Sequence, residues 1–254
     1  MKIDAVLSPT ELPALAQRDL RETVCVVFDV LRATSTFVTA LRNGAKEITP
    51  VSEISEALAI KKNQSDVLLG GERNGLKISA AQTGGINFDL GNSPREYAPE
   101  KVRGKTIVST TTNGTRALRA CASAKMILAA SFLNLNAVAK FLRQNPEARN
   151  ENLLIICAGT RENKADEDIL AAGALIELLF KDGVEGTVSD SAKIAQTFYT
   201  ESKSDLAAVI CNSENGRRLL AIPELRDDVK FCLQHDIFPL VAEMKTNGAI
   251  HLVH

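Results

Sequence analysis

Short apolar runs alternate along the chain with longer stretches in which apolar positions recur every third or fourth residue. Residues 24–30 (VCVVFDV) form the first such run, apolar on both sides as in a strand covered from both faces. A helix is predicted over about 34–43, then a strand at 46–51. A second helix is predicted over 52–62, with Ser52 placed as its cap and Ile54 and Leu58 on one face. Another strand is predicted at 66–70 (DVLLG), and the runs at 106–110, 125–130 and 153–158 each lead into a helical pattern. In the helix after the last of these, Ile169, Ala172, Ile176, Leu179 and Phe180 fall at helical spacing. Repeated strand–helix alternation predicts an α/β fold, three-layer α/β/α around a mostly parallel central sheet.

Two regions break the rhythm. Residues 71–99 contain Gly71, Gly75, Gly84, Gly85, Gly91 and Pro94 and are too long for an ordinary connection, which points to a functional or a disordered loop. Beyond about 182 the alternation weakens into helical segments at 190–201, 204–211 and 215–220, and a short strand pair at 239–242 and 249–253 is expected to close the chain. No internal repeat or linker compels a boundary, so residues 1–254 are read as a single domain.

Composition narrows the function classes. With 30 Lys and Arg against 31 Asp and Glu, the chain has no field to steer it onto nucleic acid or an anionic membrane. No stretch approaches the roughly 20 apolar residues of a membrane span, and the N-terminal MKIDAVLSPTELP has no signal-peptide pattern. Cys25, Cys121, Cys157, Cys211 and Cys232 are odd in number and scattered, which disfavours disulfides and zinc; His235, His251 and His254 have no metal-ligand spacing. A cytoplasmic location is expected, with chemistry resting on carboxylates, hydroxyls, amides and Arg.

Four predicted strands end in polar sequences that open the next helix: residues 28–36 (FDVLRATST), 110–115 (TTTNGT), 131–134 (SFLN) and 157–161 (CAGTR). Ligands of open α/β sheets bind outside such carboxyl ends, where unpaired N–H groups and the helix dipole favour anions. A single Ser, Thr or Asn there is ordinarily a cap. Three threonines followed by Asn113 and Gly114 exceed what one helix start needs, and glycine lets backbone approach a ligand closely. Asp29 ends an apolar strand, a costly position unless it is paired, capping or bound to metal; Arg32 is a candidate partner. Glu72 opens the long loop, and Asp166 and Asp168, with Glu162 and Glu167 nearby, sit where a helix dipole favours acids. Three carboxylates from three strand ends can converge, and magnesium takes one or two carboxylates with water and phosphate oxygens. GxxxxGK[ST], GxGxxG after the first strand and GxSxG are all absent, which argues against a P-loop enzyme, a dinucleotide fold and a serine hydrolase.

Taken together, the stretches at 27–36 (VFDVLRATST), 71–73 (GER), 88–94 (FDLGNSP), 110–115 (TTTNGT), 157–159 (CAG) and 167–168 (ED), with Ala172 and Gly173, resemble the 2-phosphosulfolactate phosphatase family, the ComB-like proteins. The resemblance implies a magnesium-dependent acid phosphatase with a three-layer α/β/α fold. Members convert (2R)-2-phospho-3-sulfolactate and water to (2R)-3-sulfolactate and phosphate, a step of coenzyme M biosynthesis in methanogens; relatives also occur in bacteria, where coenzyme M is not an expected product. The implied partner is thus a small phosphomonoester, with no nucleic acid and no membrane, and a homo-oligomer is compatible with the chain.

Uncatalysed phosphate-monoester hydrolysis is so slow that enzymes accelerate it by up to ~10²¹-fold, which neutral hydroxyls alone cannot supply; a metal ion is the economical addition. Asp29 and Asp168 are the expected Mg²⁺ ligands, with Glu72 as a third ligand or general base. Arg32 and Arg73 are expected to hold phosphoryl oxygens, supported by Thr34, Ser35, Thr111, Asn113, Gly114 and Thr115, while Arg161 and Ser93 face the sulfonate and carboxylate. An aspartyl-phosphate route through Asp29 is disfavoured because the second acid needed two residues on is Leu31. The alternative function is a non-catalytic receptor for a phosphorylated or sulfonated metabolite, but a pure anion receptor gains nothing from the three carboxylates.

Overall fold

A computed structural model describes residues 1–254 except 16, 149–151, 182–185 and 254, so His254 and the expected change of rhythm at 182 lie outside the described residues. The sheet has 11 strands: β1 (Lys2–Val6), β2 (Thr23–Phe28), β3 (Glu47–Pro50), β4 (Leu68–Arg73), β5 (Leu76–Lys77), β6 (Thr106–Thr110), β7 (Met126–Ala130), β8 (Asn152–Cys157), β9 (Thr187–Val188), β10 (Ala242–Met244) and β11 (Ile250–Leu252). Their order is β5-β4-β6-β3-β11-β10-β7-β2-β8-β1-β9. Strands β4, β6 and β3 run parallel, as do β7, β2, β8, β1 and β9. Together with helices on both faces this is the expected mostly parallel α/β/α arrangement.

The predicted C-terminal strand pair exists, shifted to Ala242–Met244 and Ile250–Leu252, but it does not lie at an edge. It is inserted between β7 and β3, antiparallel to both and to itself, with Glu243 opposite Leu128 and Ile250 opposite Ile48. Three antiparallel steps therefore separate the two parallel blocks, which run in opposite senses along the ladder. A flat sheet would send their carboxyl ends to opposite edges. Instead two helices, Ala33–Arg42 and Gly114–Ala120, each pack against strands of both blocks, and the residues at the ends of β2, β4, β6 and β8 meet around one cavity.

Side-chain alternation in the strands explains the layers. Val24, Val26 and Phe28 of β2 enter one core with Leu135, Val138, Leu170 and Leu175; Cys25 and Val27 enter the other with Phe37, Ile107 and Ile250. A third cluster joins Val51, Ala57, Leu69, Ile78, Phe88 and Val108, covering the other face of β4 and β6. Fully burying such side chains contributes about 1.5–3 kcal/mol each, set against the entropy of ordering them.

Some expectations change. Ser52 is not the helix cap: the helix is Ile54–Asn63 with Glu53 at the N-cap, and the Ser52 carbonyl accepts from Thr110 Oγ1 at 3.1 Å. Residues 71–99 are ordered, holding β5, a short helix at Ala80–Thr83, a bridge between Gly70 and Leu90 and a 3₁₀ turn at Pro94–Glu96. After β9 come helices Asp190–Ser202, Leu206–Cys211, Glu214–Leu220 and Arg226–Cys232, the last of which the pattern alone misses. The five cysteines are free, and no helix among the described residues is long and apolar enough to cross a membrane.

Gly173 lies within the Asp166–Lys181 helix where the Asp190–Ser202 helix crosses it, and a Cβ there would stand 2.2 Å from Ala195 O and 2.6 Å from Tyr199 Cβ. Alanine would gain about 1 kcal/mol of helix propensity, but a backbone oxygen cannot step aside cheaply, and overpacking costs about 1–3 kcal/mol. Gly173→Ala is accordingly expected to destabilise the fold by up to about 2 kcal/mol in urea unfolding. A higher midpoint would show that the two helices are not in close contact.

Candidate active site

The turn after β2 is built by its own hydroxyls. Thr34 Oγ1 donates to Asp29 O at 2.9 Å and accepts the Asp29 N–H at 3.0 Å; Ser35 Oγ donates to Val30 O at 2.8 Å. Both side chains are fully buried, so this polar run folds back on the main chain and fixes Asp29 and Arg32 in place. The Leu31–Arg32 peptide within the turn is cis. Asp29 Oδ1 accepts the Ala33 N–H at 3.0 Å, while Oδ2 has no donor among the described residues. Arg32 does not pair with Asp29: its Nη1 donates to Asp228 Oδ2 at 2.5 Å and its Nη2 to Gly75 O at 2.6 Å.

The turn after β6 divides its labour. Thr111 and Thr115 close on each other, Thr115 Oγ1 donating to Thr111 O at 3.0 Å and Thr111 Oγ1 accepting the Thr115 N–H at 3.2 Å. Thr112, given no separate role from sequence, gives both N–H and Oγ1 to Glu72 Oε1 at 2.9 and 2.8 Å, and the Gly75 N–H reaches Glu72 Oε2 at 2.6 Å. Glu72 is thus a fixed charge at the carboxyl end of β4. Gly114 is needed for close approach, but to Asp29: a Cβ would stand 2.5 Å from Asp29 Oδ2 and from Ala33 Cβ.

Asn113 joins β6 to β8. Its Nδ2 donates to Ala158 O and Arg161 O, both at 2.9 Å, and its Oδ1 accepts the Arg161 N–H at 3.0 Å. This clamp holds Arg161 at φ 54°, a left-handed backbone conformation that costs a bulky residue about 1–3 kcal/mol and clusters at functional sites.

A polar cavity opens where these ends meet, lined by Asp29, Leu31, Arg32, Glu72, Asn74, Gly75, Asn92, Thr112, Asn113, Gly159, Thr160, Arg161, Asn215 and Arg218. Of the residues singled out from sequence, Asp29, Arg32, Glu72, Asn113 and Arg161 line it. Thr34, Ser35, Thr111, Gly114 and Thr115 stand behind it as framework. Arg73 is also turned away, its Nη2 donating to Thr110 Oγ1 at 3.0 Å, and Ser93 Oγ donates to Asp228 Oδ1 at 2.7 Å rather than facing the cavity. Asp168 is behind the wall too: Oδ1 accepts the Val30 N–H at 2.8 Å and Oδ2 the Gly159 N–H at 3.0 Å, which ties the ends of β2 and β8 to the Asp166–Lys181 helix. Asn92, Thr112, Thr160, Asn215, Arg218 and Asp228 were given no role from sequence; Asn92, Thr112 and Thr160 lie inside the stretches FDLGNSP, TTTNGT and CAGTR, whereas Asn215, Arg218 and Asp228 lie in no motif.

Burial dominates the electrostatics. Asp29 is pushed up to about 6, first by desolvation and then by the charges of Glu72 and Glu167. Asp168 is raised well above the usual carboxylate range by burial and by Asp29 and Glu167, and Glu167 is raised mainly by burial. Like charges gathered out of water favour the arrival of a proton or a cation. Among the described residues no group of three or more His, Cys, Asp or Glu forms a metal-holding cluster. The cavity does offer the Glu72 carboxylate and two oxygens without a partner among the described residues, Asp29 Oδ2 and the buried Asn92 Oδ1. That donor set is all oxygen with two carboxylates, which suits a hard divalent cation completed by water and phosphate oxygens.

Comparison with known proteins identifies the family. The profile of the family described as 2-phosphosulpholactate phosphatase matches residues 10–247. A protein of Caldanaerobacter subterraneus subsp. tengcongensis named "Probable 2-phosphosulfolactate phosphatase" is 43% identical over 241 residues, 93% of each chain. Proteins of the same name from Thermotoga petrophila and Clostridium acetobutylicum are 42% identical (89% of this chain, 91% of the relative) and 36% identical (98% and 100%). A match that runs through every element lining the cavity, in relatives covered almost end to end, means that this chain belongs to the 2-phosphosulpholactate phosphatase family.

Proposed function

We propose that the protein is a magnesium-dependent phosphatase that hydrolyses the phosphomonoester of (2R)-2-phospho-3-sulfolactate, or of a related small phosphorylated acid, to the hydroxy acid and phosphate. The observation that carries this reading is the pairing of Asp29, whose Oδ2 has no donor among the described residues, and the fixed carboxylate Glu72 in one cavity with Arg32. Family membership and the names of the relatives support the same reaction and substrate. The cysteines, free and mostly buried, suit a reducing cytoplasm.

Asp29 and Glu72 would hold the magnesium ion, with the Asn92 amide oxygen beside them. When bound, the ion supplies positive charge for the phosphoryl oxygens and an activated water. Arg32 grips the phosphoryl group; its Nη1 and Nη2 are anchored on Asp228 and Gly75, so the guanidinium is oriented before substrate arrives. Thr112 and Gly75 keep Glu72 from swinging, and Asp168 holds the Asp29 turn by the Val30 N–H. Leu31 lines the cavity at the position where an aspartyl-phosphate enzyme would carry its second acid, which favours direct attack by water on phosphorus.

Phosphate release from 2-phosphosulfolactate is expected with magnesium and is expected to stop with EDTA. Asp29→Asn retains an oxygen for the Ala33 N–H but removes the charge, so release should fall about a hundredfold or more. The same variant should melt at a higher temperature than the parent in EDTA, because a buried like charge is gone. An active, magnesium-dependent Asp29→Asn would refute the scheme, and tight binding without turnover of any ester would make the protein a receptor.

The pH dependence has a definite sign. Asp29 binds its proton more tightly folded (about 6) than at its ordinary value of 3.8, so the folded state holds more protons between these values and loses stability as pH rises through them. A cation competes with that proton. Magnesium should therefore raise the melting temperature more at pH 7.5 than at pH 5.5, and equal shifts at both would contradict a site on Asp29.

A further inference from the structure

We propose that Arg218, on the Glu214–Leu220 helix, determines specificity by binding an acidic group of the substrate other than the phosphate to be removed; this deepens the phosphatase reading and rests on it. Three arginines line the cavity: Arg32, Arg161 and Arg218. Arg32 has its counter-ion in Asp228, which is fully buried behind it. Among the described residues neither Arg161 nor Arg218 has a carboxylate partner. A guanidinium facing a polar cavity without a counter-ion is a standing cost that an incoming anion relieves.

Arg218 is also the better prepared of the two. Arg161 is exposed, whereas Arg218 is half-buried, donates from Nη2 to Asn215 Oδ1 at 2.7 Å, and leaves a buried Nε–H with no partner. The Asn215 amide is oriented in turn, because its Nδ2 donates to Glu167 Oε1 at 2.7 Å and to Thr160 Oγ1. Glu167 is buried and adjoins Asp168 on the helix that ties β2 to β8. The line Glu167–Asn215–Arg218 thus fixes the guanidinium relative to Asp29. An oriented fork of N–H donors matches a carboxylate or sulfonate. The phosphate is already provided for by Arg32 and by the Asp29 and Glu72 carboxylates with their cation. The substrate class that satisfies both ends is a small phosphate ester bearing a further strong acid.

The test compares 2-phosphosulfolactate with glycerol 2-phosphate, a secondary phosphate ester that carries no second acid. Arg218→Gln should lower the ratio of kcat/KM between the two esters by about tenfold to a hundredfold, chiefly through KM for the acidic one. The dissociation constant of 3-sulfolactate, measured by calorimetry, should rise by a similar factor. Arg218→Lys keeps the charge without the fork and should fall between, which also covers a failure of the Gln variant to fold. Loss of activity in equal proportion on both esters would make Arg218 a phosphate grip and overturn the proposal, as would an unchanged 3-sulfolactate affinity in a folded variant. If the parent protein hydrolyses neither ester, the phosphatase reading fails, and the 3-sulfolactate affinity alone decides the role of Arg218.

Discussion

Arg32 is buried almost completely, and a guanidinium in that position is tolerable only because Asp228 lies against it with Ser93 on its second oxygen. Removing one partner of such a pair leaves an uncompensated charge and costs about 3–5 kcal/mol. Three segments remote in sequence meet at this one interaction: the turn after β2, the segment before Pro94 and the Arg226–Cys232 helix. Gly75, which accepts from the same guanidinium, brings in the β4–β5 turn, and through it the Gly75 N–H that fixes Glu72. The cavity therefore exists only when the C-terminal helices have docked.

The carboxylates on the other side obey the opposite logic. Burial raises the proton affinity of Asp29, Glu167 and Asp168, Glu167 adds to that of Asp29, and Asp29 and Glu167 add to that of Asp168; each is kept by particular donors: Ala33 for Asp29, Asn215 for Glu167, Val30 and Gly159 for Asp168. Burial works against their charged forms, which a fold selected for stability alone would avoid. Retaining them makes sense where a cation or a transferring phosphoryl group completes the balance.

Local chemistry made much of the framework legible. Strand β2 reads as buried because it is apolar on both faces, and the hydroxyls of Thr34 and Ser35 mark a turn that must satisfy its own backbone, while that of Thr36 reaches the carbonyl of Asn92. Whether a hydroxyl faces the ligand or the main chain is a matter of a single rotamer, and sequence does not carry it. Thr111 and Thr115 turned inward while Thr112 turned to Glu72. Ser93 and Arg73 likewise spend their donors on Asp228 and Thr110.

Sequence by itself determined the α/β class and the strand ends, and singled out Asp29, Arg32, Glu72, Asn113 and Arg161, which the fold brings to one cavity, because each follows from local patterning of apolar and polar residues. Tertiary structure alone decided that a C-terminal hairpin would join two opposed parallel blocks, that Arg32 would pair with Asp228 and not Asp29, and that Asn215 and Arg218 would complete the cavity. The first two depend on pairings across more than a hundred residues, and the third on contacts of Asn215 with Thr160 and Glu167, 55 and 48 residues away. Local propensity says nothing about them; register and the need of each buried charge for a partner fix them together.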